Sequence, residues 1–318
     1  MAIIHAMAQK TRSVIAVELS PAFLKLVEIL PDEKRIAAVA IEPLDRARWE
    51  KDDYLAEQIK TAIARHCQAH DAELITAVSG NHAILRFIEV PEGEQNILDA
   101  VQWDMEQYLA RPLYEYLMDY QEVGGNATKN GTVYLVAAYR RRQVERIQGI
   151  MESCGLTLAV LDVDIFAALN ALEANYPGMA VGKTLLIKAD VSALLCIRAQ
   201  DGMFAGCESI PIESDVFDLD ASARADRFLD LARQIRLHFE NTARTWGTID
   251  HAVLCGDLAA QETFREAMED NLSTPLICLD AFKEMSFVPG TDANAAFMPG
   301  AAQCAGALGL ALRRAGDC

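Results

Sequence analysis

The sequence is short of positive charge. It contains 29 lysine and arginine residues against 46 aspartate and glutamate residues, which gives a formal net charge of −17 at pH 7. A protein that binds nucleic acid needs clustered Lys and Arg to neutralise phosphates, and attachment to anionic lipids needs the same groups. The composition therefore argues against a nucleic-acid surface and against electrostatic binding to a membrane.

Long apolar runs are also missing. No stretch approaches the roughly 20 apolar residues that a membrane-spanning helix needs. The N-terminus, MAIIHAMAQKTR, begins with a short apolar segment but has neither the apolar core nor the cleavage pattern of a signal peptide. We therefore expect a cytoplasmic protein that does not insert into a membrane and reaches one only through a partner.

The sequence offers no close pair of metal-binding side chains with a third ligand nearby. Its eight cysteines are scattered without a CxxC pair, and its six histidines are dispersed. His66 and His70 have the i, i+4 spacing of a helix face, but no acidic third ligand accompanies them. We therefore expect reduced, mostly buried thiols and no metal site.

The most informative stretch runs from residue 97 to residue 121 and reads ILDAVQWDMEQYLARPLYEYLMDYQ. Apolar residues at steps of three and four predict a helix that reaches Leu109, and Pro112 ends it because proline cannot continue the helical hydrogen bonding. Beyond the proline the period changes to two, which predicts a strand. One side of that strand would carry Tyr114, Tyr116, Met118 and Tyr120.

This stretch resembles the motif A(I/V)xWExEQYIPFPLxExxxDYQ of the PilM family. The members of that family are cytoplasmic, actin-like assembly proteins of type IV pili, related to MshI and more distantly to FtsA. The resemblance extends from Val14 to Leu312. The residues of the stretch that match the family motif are Trp103, Glu106, Gln107, Tyr108, Pro112, Leu113, Glu115, Asp119, Tyr120 and Gln121.

The resemblance implies an α/β, actin-like fold of two lobes with an inserted subdomain called 1C. The length of 318 residues suits two lobes, and strand–strand–strand–helix–strand patterns recur in both halves. We predict that residues 12–83 and 161–181 form lobe 1A and that residues 84–160 form the insert. Residues 182–318 would form the second lobe, and whether its C-terminal helix packs back on the first lobe stays open.

The resemblance also implies where a nucleotide would bind. Actin-like ATPases hold it between the lobes, on two glycine-rich hairpins that each supply an acid for magnesium, and on a glycine pair beside the adenosine. The positions of this chain that correspond to that site are Glu18, Ser20, Lys25, Ser192 and Gly256.

Three loops depart from the nucleotide-binding pattern. Ser20 replaces a glycine, and Phe23 places a bulky ring where a phosphate would approach. In the second hairpin Lys188 stands where the acid belongs and Asp190 where the glycine belongs. Asp257 replaces one glycine of the adenosine pair. We therefore predict weak or absent binding of ATP and magnesium, no useful ATPase activity and no catalytic residue.

The family's role implies a scaffold of a type IV pilus, an MSHA-type pilus or a related secretion system. It would dock the short cytoplasmic tail of a PilN-like inner-membrane protein in a groove between lobe 1A and the insert, and would contact other pilus assembly proteins. We expect tail contacts around Trp103, Gln107, Tyr108 and Tyr116.

Two alternatives remain at this point. One is an active actin-like ATPase, a sugar kinase or a nucleotide-binding switch, in which Glu18 would supply the acid and the backbone would bind Mg-ATP loosely. The other is the soluble domain of a GspL-type secretion protein, which shares the fold without a nucleotide.

Overall fold

The computed structural model describes residues 13–30, 35–68, 72–123, 131–155, 157–212, 216–289, 291 and 300–313. The described strands are β1 Ser13–Leu19, β2 Phe23–Leu30, β3 Arg35–Pro43, β4 Ala72–Val78, β5 Ile84–Pro91, β6 Tyr116–Glu122, β7 Gly131–Arg140, β8 Thr157–Val163, β9 Lys183–Ala189, β10 Ala193–Gln200, β11 Met203–Pro211, β12 His251–Cys255, β13 Leu276–Cys278 and β14 Ser286–Phe287.

The helices of the described residues are α1 Asp52–His66, α2 Ile97–Met105, α3 Arg141–Glu152, α4 Asp164–Asn175, α5 Ala221–Trp246, α6 Glu262–Asn271 and α7 Ala305–Leu312. Within these ranges, no helix combines the length and the apolar character that crossing a membrane requires.

Two mixed sheets repeat one topology. The first has the strand order β14-β3-β2-β1-β4-β8, and the second has the order β11-β10-β9-β12-β13. In each, three consecutive antiparallel strands are followed by two strands that add in parallel beside the first of them. The parallel additions need crossover helices, which α1 and α5 supply. The topology confirms the prediction of an α/β fold built from two like halves.

The side chains of each sheet divide between two helical layers. In β1, Ile15 and Val17 pack on α1 and α3, whereas Val14 and Ala16 pack on α4 and α7. This division follows from the period-two alternation of a strand. In the second sheet, Leu186 also faces α4 and α7, while α5 and α6 cover the opposite face. The two central helices, α4 and α7, are therefore shared by both lobes.

The central helices pack with their backbones close together. A Cβ atom added at Gly309 of α7 would collide with the carbonyl oxygen of Ala167 in α4. The sequence predicts this close packing from the small residues between Ala301 and Arg314, although the helix itself is shorter and follows a 3-10 turn at Ala302–Cys304. Because α7 also packs on β1 and β2, the C-terminal helix does return to the first lobe.

The insert is smaller than the predicted range of residues 84–160. β8 pairs in parallel with β4 in the first sheet, and Ile150 and Met151 of α3 pack in the core that α1 covers. The prediction is therefore wrong beyond β7, because residues 157–163 complete the first sheet instead of closing the insert. The range 182–318 also needs correction, since β14 pairs with β3 of the first lobe.

The insert itself is a three-stranded sheet, β5-β7-β6, with α2 on one face. The helix ends at Met105, before the predicted Leu109. The predicted strand begins only at Tyr116, because Pro112 starts a 3-10 turn in which the backbone N–H of Glu115 donates to the Pro112 carbonyl. Tyr114 lies in that turn and is 74% exposed, so it does not belong to the aromatic side of the strand.

The prediction of mostly buried thiols holds for three of the described cysteines, whereas Cys67, Cys154 and Cys207 are only partly buried. Cys196, Cys255 and Cys304 are inaccessible to solvent, whereas Cys278 is exposed. Burial raises the pKa of each buried thiol above its ordinary value, and for Cys304 it does so to about 12.

We expect Gly309→Ala to destabilise the protein by about 1–3 kcal/mol or more, because the new methyl group has to push α4 and α7 apart. Gly149→Ala in α3 is the matched control, since its Cβ would meet no atom within 4 Å. It should stabilise the protein by about 0.5–1 kcal/mol through helix propensity. Urea unfolding measures both changes, and equal effects would contradict the close contact of the two helices.

Alkaline pH should destabilise the protein under reducing conditions. An unfolded thiol has a pKa of 9.0. Above that pH the unfolded chain releases a proton that the buried thiol keeps. The free energy of unfolding is therefore unaffected by this thiol below pH 9 and falls as the pH rises above it. At pH 10 the loss is about 1.4 kcal/mol for each such thiol. Urea unfolding at pH 8 and at pH 10 measures this loss of unfolding free energy. The loss should be smaller for Cys304→Ala than for wild type, and an equal loss in both proteins would refute this explanation.

Candidate functional site

Charged side chains meet between the lobes, at the C-terminal ends of β1, β9 and β12, on β2 beside the end of β1, and at the first residue of α4. Open α/β sheets bind ligands at this end of their strands. We call this group the cleft cluster, and its residues are Glu18, Lys25, Asp164, Lys188, Asp190 and Asp257. Lys25 is 0% exposed and Lys188 is 1% exposed, so their ammonium groups contact the carboxylates of the cluster instead of water.

Lys25 connects the first lobe to the second. It lies on β2, and its Nζ is 3.2 Å from Oε2 of Glu18 at the end of β1. The same Nζ donates to Oδ1 of Asp257, which follows β12, at 3.0 Å. One ammonium group therefore bridges a carboxylate of each lobe.

Lys188 makes the reverse connection, from the second lobe to the first. Its Nζ is 3.1 Å from Oε1 of Glu18 and donates to Oδ2 of Asp164 at 3.0 Å. It also contacts Oδ2 of Asp190 on its own hairpin. The ammonium group is thus surrounded by three carboxylates from three different elements.

Further donors orient the carboxylates. The backbone N–H of Gly80 donates to Oδ1 of Asp164 at 2.6 Å, and the backbone N–H of Asp257 donates to Oδ1 of Asp190 at 3.1 Å. Nε2 of Gln303, just before α7, donates to Oδ1 of Asp257 at 3.3 Å. The cluster is therefore a hydrogen-bonded network and not a chance meeting of charges.

The environment keeps both lysines protonated. Burial alone would lower the pKa of Lys25, but Asp257 and Glu18 outweigh it and hold that pKa above its ordinary value. Asp164 and Asp190 likewise outweigh burial at Lys188 and raise its pKa. Burial raises the pKa of Asp164 and of Asp257 above the ordinary value. The neighbouring carboxylates raise both pKa values further, because four carboxylates share only two cations.

The cluster has the ligand chemistry of a cation site but already contains a cation. One oxygen each of Glu18, Asp164 and Asp190 lies within 4.8 Å of the others, and such hard oxygen ligands suit a divalent ion. The ammonium group of Lys188 contacts all three of these side chains. A phosphate entering here would meet four carboxylates.

The structure brings together four of the five positions predicted from the nucleotide-site pattern. Glu18 and Lys25 belong to the cluster, and the Ser20 backbone N–H donates to the Phe23 carbonyl in the hairpin between them. Gly256 has φ of +95° and lies so close to the second hairpin that an added Cβ would be 2.7 Å from Oδ1 of Asp190. Ser192 lies in the β9–β10 turn, where its carbonyl accepts from the N–H of Ile212.

Sequence reasoning missed Asp164 and Gln303 as members of this site. Asp164 did carry a signal, because it is an acid placed between an apolar strand and an alanine-rich helix in LDVDIFAALNAL. Gln303 carried none, since a single amide before a small-residue helix is unremarkable in sequence.

A second feature is a cavity of about 350 Å³ between the insert and the first lobe, which we call the insert groove. Ala199, Gly202 and Phe204 of the β10–β11 hairpin in the second lobe also line it. Its apolar lining includes Leu135, Ala137, Leu161, Phe166, Leu169 and Phe204, and its polar lining includes Asp119, Gln121, Asp162, Asn170, Glu173 and Arg313.

The four residues predicted to bind a partner lie elsewhere. Trp103, Gln107 and Tyr108 are exposed on α2 and just after it, and Arg86 stacks 4.7 Å from the Tyr108 ring. Tyr116 is buried beneath α2 in the core of the insert. Since α2 covers one face of the sheet and the groove lies at the other, the structure brings none of these four into the groove.

Comparison with known proteins addresses the family and the fold. Residues 16–199 match the family model described as Type IV pilus assembly protein PilM. A solved chain of a PilM-PilN type IV pilus biogenesis complex is similar, with a TM-score of 0.82 and 21% identity over 94% of this chain and 98% of that chain. The ethanolamine utilization protein EutJ from Carboxydothermus hydrogenoformans has a TM-score of 0.55 and 12% identity, over 95% of this chain and 90% of that one.

The two structural likenesses confirm the predicted actin-like fold. The family match covers more than half of the 318 residues, from the first strand to the middle of the second sheet. The chain therefore belongs to the PilM family of type IV pilus assembly proteins.

Proposed function

We propose that this protein is a cytoplasmic scaffold of type IV pilus assembly, peripheral to the inner membrane, that holds the tail of a PilN-like protein in the insert groove. Family membership supports a role in pilus assembly. The similar solved chain comes from a complex with PilN, which supports the choice of partner. The observation that carries the proposal is the groove itself. It lies between the first lobe and the insert, where the family resemblance implies that the tail docks.

The groove offers apolar surface that an occupant would cover. Leu135 and Ala137 on one side and Phe166 and Leu169 on the other are only partly buried, although they line one cavity. Covering such side chains is favourable at about 25 cal/mol for each Å² of apolar surface removed from water. A peptide with two or three apolar side chains would supply that cover.

The edge of the insert sheet offers a backbone to pair with. β6 is the last strand of the order β5-β7-β6, and no described residue pairs with its outer edge. Residues 119–121 of this strand also line the groove. An extended tail can add to such an edge, so that main-chain hydrogen bonds give affinity while the groove selects side chains.

The charges of the groove predict the character of the tail. Arg313 is paired with Asp162, with 3.4 Å between its Nε and Oδ2. Asp119 and Glu173 add two further carboxylates to the lining. The occupant should therefore combine apolar side chains with at least one lysine or arginine.

The cleft cluster supports a scaffold over the alternative of an actin-like ATPase. Lys25 and Lys188 already neutralise part of the negative charge between the lobes, where magnesium and phosphate would have to bind. A nucleotide would have to separate these buried ion pairs, and breaking one such pair costs about 3–5 kcal/mol. We therefore propose that tail docking does not depend on nucleotide.

Ala137→Arg should weaken binding of a synthetic PilN-like tail peptide at least about tenfold, which corresponds to 1.4 kcal/mol. The new side chain would occupy the groove and repel a basic tail. Trp103→Ala is the matched comparison, because this 71%-exposed residue lies on the other side of the insert. Isothermal titration of each variant, with a thermal melt to confirm folding, measures the effect.

The two variants separate the two surfaces. Loss of binding only in Ala137→Arg supports the groove. Loss only in Trp103→Ala would move the docking site to α2 and its exposed aromatic residues, and the groove proposal would then be abandoned.

A further inference from the structure

We propose that the Lys188 ammonium group takes the position of a divalent cation in a three-carboxylate cage, so that the cleft holds a latent metal site which shortening Lys188 would open. This inference concerns the cleft alone and does not depend on where the tail docks.

The first support is the geometry around the ammonium group. Nζ of Lys188 is 3.1 Å from Glu18 and 3.0 Å from Asp164, and it contacts Asp190 as well. The three carboxylate oxygens lie within 4.8 Å of one another. Oxygens on opposite sides of a calcium ion are about 4.6–5.2 Å apart, because each Ca–O distance is about 2.3–2.6 Å. The cage therefore has the size that a divalent cation with oxygen ligands requires.

The second, independent support is that each carboxylate is held in place through its other oxygen. Lys25 lies 3.2 Å from Oε2 of Glu18, Gly80 N–H donates to Oδ1 of Asp164, and Asp257 N–H donates to Oδ1 of Asp190. The remaining oxygen of each group is left to face Lys188. Metal ligands are oriented by outer contacts of this kind, and here the same arrangement exists around a lysine.

The third support is the balance of charge. The described part of the cleft holds four carboxylates and two ammonium groups. Removing Lys188 leaves four carboxylates and one ammonium group in a buried site, which is a costly arrangement. A divalent cation would more than replace the lost charge, and the space of the missing side chain would admit it.

The cage also joins the lobes. Glu18 and Asp164 belong to the first lobe, whereas Lys188 and Asp190 belong to the second. A cation that is part of the chain cannot dissociate, so this contact between the lobes persists at any concentration of free metal. The wild-type protein should accordingly be indifferent both to chelators and to added metal.

The test is a thermal melt with and without Mn²⁺ or Ca²⁺, after treatment with EDTA. Wild type should show no shift. Lys188→Ala should be destabilised without metal and gain about 5 °C or more at a metal concentration 100 times its Kd. Isothermal titration should find one strong site for each chain in the variant and none in wild type.

Three controls make the result specific. Lys188→Met fills the same space without charge and should gain no metal response. Lys188→Ala combined with Asp190→Asn lacks one ligand and should lose most of the gain. Lys283→Ala removes an exposed lysine outside the cleft and should behave like wild type.

The outcome is decisive even if Lys188→Ala does not fold alone. In that case it is refolded from urea with and without Mn²⁺, and recovery of near-UV circular dichroism only with metal supports the inference. No metal dependence of either melting or refolding would overturn it, and so would equal metal binding by wild type and variant. Neither result would bear on tail binding, which the groove variants test separately.

Discussion

Two buried ammonium groups tie the lobes of this protein together. Lys25 reaches from the first lobe to Asp257, and Lys188 reaches from the second lobe to Glu18 and Asp164. Buried ion pairs add little net stability, since desolvation of the charges offsets much of their attraction. Once the groups are buried, however, separating them leaves uncompensated charge. The cluster therefore adds little to the total free energy of unfolding. Its main effect is to favour one closed arrangement of the lobes over arrangements in which the charges are separated.

The apolar framework makes that arrangement possible. The central helices lie between the sheets, and Gly309 lets α7 approach the backbone of α4. A similar allowance occurs at the cluster, where an added Cβ at Gly306 would collide with the carboxylate of Glu18. The same helix therefore brings the lobes together and leaves room for the charges between them. The insert, in turn, projects from the first lobe and forms the groove on the side away from α2.

Much of the fold could be predicted from local patterns. Consecutive apolar residues in β1 and β9 and the small residues of α7 indicate the layers, because a strand that is buried on both faces is apolar at successive positions. The partner of β8 could not be predicted in this way. Parallel pairing with β4 joins residues about 80 positions apart in the sequence, and no local pattern near Thr157 indicates this pairing.

The site was predictable only in part. The replacements at Lys188 and Asp190 are visible in the sequence, and both side chains lie in the cleft cluster. The pairing of Lys188 with Asp164 is a tertiary contact that no spacing encodes. The tyrosines of the insert suggested a binding face, but β7 is apolar on both sides, as Val136 and Ala137 illustrate. Periodicity could not decide which of those sides faces the first lobe.

Lys25 and Lys188 fill the cleft in which a related fold would hold Mg-ATP, and we propose that their ion pairs exclude the nucleotide. The most direct measurement is isothermal titration of the purified, nucleotide-free wild-type protein with Mg-ATP, accompanied by a thermal melt. We predict no heat of binding and no shift in Tm. Binding at micromolar Kd with a matching rise in Tm would contradict the claim, because the nucleotide would then have displaced the ion pairs of Lys25 and Lys188.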